Sequence, residues 1–95
     1  MTKKEAYIKK INAQLDEWTA KIDQLQAKAK KAEAGLQIEY SSEIEKIKSL
    51  RMAAQKKLND LKEAGDKVWA DLTDSVDAAL NELNKALDDA TKQIQ

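Results

Sequence analysis

The sequence predicts an all-α fold, with long amphipathic helices forming a coiled coil or an antiparallel bundle of three helical segments. Three observations predict it. The 95 residues include two Gly and no Pro, and Ala, Leu, Lys, Glu, Asp and Gln outnumber the β-branched and aromatic residues that a sheet needs. Apolar residues recur at Ile8, Ile11, Leu15, Trp18, Ile22, Leu25, Ala29, Ala32 and Leu36, in alternating steps of three and four. Charged residues make up 36% of the chain, which leaves too few large apolar side chains for a thick globular core and favours a thin seam between helices. A chain of this length is one domain, residues 1–95.

The first helix is expected over about 3–34. Thr2 and Glu5 make a Thr-x-x-Glu capping box, which supplies partners for the first orphan amides. The heptad seam that follows places Ile8, Leu15, Ile22, Ala29 and Leu36 at a, with Ile11, Trp18, Leu25 and Ala32 at d. The flanking e and g positions, among them Asn12, Thr19 and Gln26, are mostly uncharged, so ion pairing between helices specifies register poorly.

After Leu36 the pattern steps by four twice, through Tyr40 to Ile44, before it resumes at Ile47, Arg51, Ala54, Leu58 and Leu61. This extra spacing is a stutter or a turn within 34–42, and Ser42-x-x-Glu45 is a second capping box that would start the next helix near 43. A second break is expected at Glu63-Ala64-Gly65-Asp66, with Gly65 left-handed at the helix end and Asp66 capping a third helix over 66–94. With both breaks the chain is a bundle about 45 Å long, and with neither it is a rod near ~135 Å.

The last third repeats with a period of 11. Leu58-Asn-Asp-Leu61, Trp69-Ala-Asp-Leu72, Leu80-Asn-Glu-Leu83 and Thr91-Lys-Gln-Ile94 align, with Val76 and Leu87 in register. Eleven residues make three turns at about 3.67 per turn, so this stripe departs from the left-handed winding of the first third. The same period occurs in amphipathic helices that lie on lipid.

Charge is balanced overall, 17 basic against 17 acidic residues, but uneven along the chain. Residues 1–57 hold 13 basic and 8 acidic, a net of +5; residues 66–95 hold 3 and 7, a net of −4. The two ends should attract. Lys28, Lys30, Lys31, Lys56 and Lys57 form the densest basic stretches, yet a neutral chain with one arginine and no reading motif disfavours nucleic acid as a partner.

Chemistry is bounded by what is missing from the sequence. Without Cys or His there are no disulfides, zinc-thiolate sites or thiolate nucleophiles, and most proton shuttles are excluded. No nucleophile-base pair, metal-ligand set or phosphate-binding glycine loop can be assembled, so the expectation is a protein that is not an enzyme and takes no cofactor. Asp71, Asp74 and Asp77 share one helix side but lack the loop of a calcium cage, and read as a solvated acidic face. Glu5-Lys9, Glu17-Lys21, Glu63-Lys67 and Asp88-Lys92 read as intrahelical support. Arg51 falls on the stripe itself, where its stem can cover apolar surface while the guanidinium reaches the acidic last third. The chain enters charge within ten residues and has no run of about 18 apolar residues, which makes the cytoplasm the expected location.

The candidate interaction residues are therefore those of the seam: Ile8, Ile11, Leu15, Trp18, Ile22, Leu25, Ile44, Ile47, Leu58, Leu61, Trp69, Leu72, Val76, Leu80, Leu83 and Leu87. Each contributes roughly 1.5 to 3 kcal/mol when fully buried, so the stripe must be covered. The cover is the chain itself, in one copy or several, another helical protein, or a lipid surface reached through residues 58–94. Trp18 and Trp69 read as packing anchors.

Ala6-Tyr7-Ile8, Leu15-x-Glu17-Trp18, Ala27-Lys28-Ala29, Glu39-Tyr40, Ile44-Glu45, Arg51, Gln55-x-Lys57-Leu58, Leu61-Lys62 and Trp69-x-Asp71-Leu72 resemble a family of short bacterial coiled-coil stress-response proteins. The resemblance covers nearly the whole chain. It implies a cytoplasmic helical protein with no active site to carry over, and a role in a stress response. The 11-residue unit is similar in period alone to exchangeable apolipoproteins.

Overall fold

The computed structural model describes residues 2–65 and 67–94. They form three helices, α1 (Lys3–Lys30), α2 (Ala34–Glu63) and α3 (Trp69–Gln93), with no strand among the described residues. The chain is an all-α helical bundle measuring 51 × 20 × 18 Å, and so the folded-back arrangement rather than the rod. Its length matches that of one helix of 28 to 30 residues at about 1.5 Å per residue.

Cross-helix contacts fix the topology. Lys4 Nζ, at the start of α1, donates to Ala64 O just past the end of α2 at 2.6 Å, which makes α1 and α2 antiparallel. Tyr40, near the start of α2, donates to Gln93 O at the end of α3 at 3.2 Å. Tyr7 meets Thr73 and Asp77, so α1 and α3 run parallel and the order is up-down-up. The α2–α3 pair packs most extensively and the α1–α3 pair least.

The first break lies at residues 31–33, ahead of the expected window of 34–42, and α2 starts at Ala34 rather than near 43. Local chemistry accounts for the shift. Glu33 adopts extended backbone (φ −61°, ψ 150°) and reverses the chain, while the Gln37 side-chain amide donates to Lys30 O at 3.0 Å and Ala32 O at 2.7 Å. A side chain of the following helix thus satisfies carbonyls that the end of α1 would leave orphaned. The Ser42 capping box goes unused because Ser42 lies inside α2. Leu36, placed at a, is 40% exposed, since it now begins a new helix instead of continuing the seam.

The second break is where it was expected but is built differently. Ala64 is extended (φ −76°, ψ 145°), and no described glycine has positive φ, so Gly65 does not make the left-handed cap. Lys4 from α1 satisfies the terminal carbonyl instead. Val68 N donates to Gly65 O at 3.3 Å, closing the connector, and α3 begins at Trp69 rather than 66. The proposed Asp66 cap lies outside the described residues. At the start of the chain, Thr2 Oγ1 accepts from Glu5 N at 3.1 Å, the capping contact that the sequence predicts.

Candidate helix-packing interface

The seam residues converge along the bundle axis. From α1, Ile11, Leu15, Trp18, Ile22 and Leu25 are buried; from α2, Ile44, Ile47, Leu58 and Leu61; from α3, Val76, Leu80, Leu83 and Leu87. Ile8, Trp69 and Leu72 are half-buried against this core. All sixteen named seam positions therefore join one cluster, and no buried side chain among the described residues is polar or charged.

Small residues complete the core. Ala29, Ala54, Ala79 and Ala90 are buried, as is Ile94. The 11-residue alignment places Leu80 and Thr91 on the stripe and so gives no signal for Ala79 and Ala90. The inward face of α3 follows Leu72, Val76, Ala79, Leu83, Leu87 and Ala90, in steps of three and four, and continues to Ile94, with Leu80 buried beside Ala79. Thr91 is exposed and donates back to Leu87 O at 2.7 Å. The first 11-residue unit, Leu58–Leu61, ends α2, so the repeat is split by the connector and does not run through one helix.

Polar side chains tie the helices where the seam meets solvent. Tyr7 Oη donates to Asp77 Oδ1 at 2.6 Å, and its ring meets Trp69 edge-on, with centroids 5.4 Å apart and planes at 80°. Burial raises the phenol well above its ordinary value, and the hydrogen bond to Asp77 and the charges of Asp77 and Asp74 push it the same way. Asp71, Asp74 and Asp77 are exposed, and among the described residues no three acidic groups gather as a metal site.

Arg51 takes a different partner from the one expected. It is half-buried on the seam of α2, and its Nε donates to Thr19 Oγ1 of α1 at 2.6 Å. The Thr19 hydroxyl in turn donates to Leu15 O at 2.8 Å. Among the described residues the one ion pair within 4.0 Å is Lys48–Glu45, at 3.8 Å. Among the described residues the opposed charges of the chain's two ends thus meet in no ion pair, and the four expected intrahelical pairs stay open. Such exposed pairs gain little from closing, and Lys67 stands outside any helix.

No family model matches the chain, and it has no match among curated proteins or solved structures.

Several open grooves flank the core, two of them beside α1 and α3. Between α1 and α3, about 470 Å³ is lined by Lys10, Gln14, Asp77, Asn81 and Asn84, over Ile11, Trp18 and Leu80. Beside the α3 start, about 480 Å³ is lined by Thr2, Lys3, Lys4 and Trp69. No helix of the described residues is long and apolar enough to cross a membrane.

Proposed function

We propose that this chain is a non-enzymatic structural or interaction protein that works by helix packing, with its own seam satisfied inside one copy. The observation that carries this reading is the composition of the buried set. It is wholly apolar, drawn from all three helices, and continuous from Ile11 to Ile94. Charged side chains lie outside it, at the bundle surface. Contact with another helical protein falls to the surface the bundle leaves, and the α1–α3 groove is the loosest part of the packing. The resemblance to short bacterial stress-response proteins supports placing the protein in the cytoplasm, in a stress response.

Sedimentation equilibrium of the full chain from micromolar to millimolar tests this reading. A monomer of 10.7 kDa that stays helical on dilution supports it. Helicity that appears only as oligomers form contradicts it.

One feature favours a second reading, association of α3 with a lipid surface. α3 is the most strongly amphipathic of the three helices, and it starts at a half-buried Trp69 next to an exposed Val68. Its acidic outer face disfavours anionic bilayers. Flotation with zwitterionic and anionic vesicles tests it: absence of binding and of a blue shift in tryptophan emission removes this reading.

A further inference from the structure

Arg51 occupies a position that the apolar pattern reserves for a hydrophobic residue. Its neighbours on the stripe, Ile47 and Ala54, are 1% and 0% exposed, so the arginine backbone sits at the middle of the core edge. A leucine there would give α2 an unbroken seam through Ile44, Ile47, residue 51, Ala54, Leu58 and Leu61. The long amphipathic helices of this chain have an obvious alternative to folding back, which is to associate in parallel with the same helix of a second copy.

The two arrangements treat Arg51 differently. In a parallel pair, an a-position residue faces its own copy across the seam. Two guanidinium groups would then be brought together in a partly dry place, where like charges repel far more strongly than in water. In the folded-back chain Arg51 instead faces Thr19, an uncharged e-position residue of α1, and makes a charge-assisted hydrogen bond at 2.6 Å. The stem covers apolar surface while the rest of the guanidinium reaches solvent. The pairing also supplies what the mostly uncharged e and g positions of α1 lack, a polar contact specific to the antiparallel neighbour.

We propose that Arg51 is the residue that selects the folded-back monomer over parallel self-association. The inference rests on the reading that the free chain satisfies its own seam, and its test separates the two. Arg51→Leu, Arg51→Met and Arg51→Lys are compared with the wild type by size-exclusion chromatography with light scattering, from micromolar to millimolar, with circular dichroism to verify helix content. The wild type runs as a monomer; a wild type that oligomerises defeats the folded-back reading itself, and this proposal with it. Arg51→Leu or Arg51→Met, which remove the charge, self-associate roughly tenfold or more strongly than the wild type. Arg51→Lys, which keeps the charge and loses the planar fork, stays monomeric. With a monomeric wild type, mass that stays monomeric in both the leucine and methionine variants overturns the proposal. So does a lysine variant that associates as strongly as they do.

Discussion

The Tyr7 phenol is held by Asp77 at one edge of the bundle, with the Trp69 ring beside it, and the hydrogen bond to Asp77 requires the proton to stay on the phenol oxygen. Its folded pKa is raised above the ordinary 10.0, so its stabilising contribution is complete below about pH 10 and is lost as the pH climbs toward the folded value. Alkaline titration of unfolding should therefore show stability falling above pH 10 in the wild type, with a shallower fall in Tyr7→Phe. At neutral pH that variant should lose about 0.5 to 1.5 kcal/mol, the net value of one hydrogen bond. Leu83 is the opposite kind of residue, wholly apolar and 0% exposed. Leu83→Ala should cost about 2 to 5 kcal/mol in urea denaturation, a large share of the total stability of a small domain.

At the scale of the element, each helix end has its own solution. α1 starts on a side-chain cap that was legible in Thr2 and Glu5, because capping boxes are local in sequence. The C-terminal ends of α1 and α2 are closed by residues across the turn or distant in sequence: Gln37 for α1, Lys4 for α2. Such closures leave no local signal, so the first turn lies ahead of the 34–42 window that periodicity favours and Gly65 needs no left-handed conformation. The start of α2 is weakly built. Glu33 has cap geometry without a cap hydrogen bond, and a Cβ added at Gly35 would meet nothing within 4 Å. Glu33→Asp and Gly35→Ala should each raise stability by about 0.5 to 1 kcal/mol, measured as an upward shift of the thermal midpoint.

For the whole molecule, the heptad seam carried most of the information. Of the residues that periodicity puts on the first seam, those from Ile8 to Ala29 lie in or against the core, while Leu36 at its end is exposed because the chain has already turned. What the stripe could not say is which helix covers which. The alanines that permit close approach look unremarkable in an alanine-rich sequence, and the 11-residue alignment competed with the true spacing around Ala79 and Ala90. The tie from Arg51 to Thr19 joins residues 32 apart and appears only once α1 and α2 lie side by side.

The fold-back of three helices onto one seam is the claim from which the rest follows, and small-angle X-ray scattering of the dilute chain tests it most directly. The structure predicts a radius of gyration near its Cα value of 15.4 Å, with a longest dimension close to 51 Å. An extended helix of 95 residues would instead give a radius of gyration of about 40 Å, and that result would contradict the account.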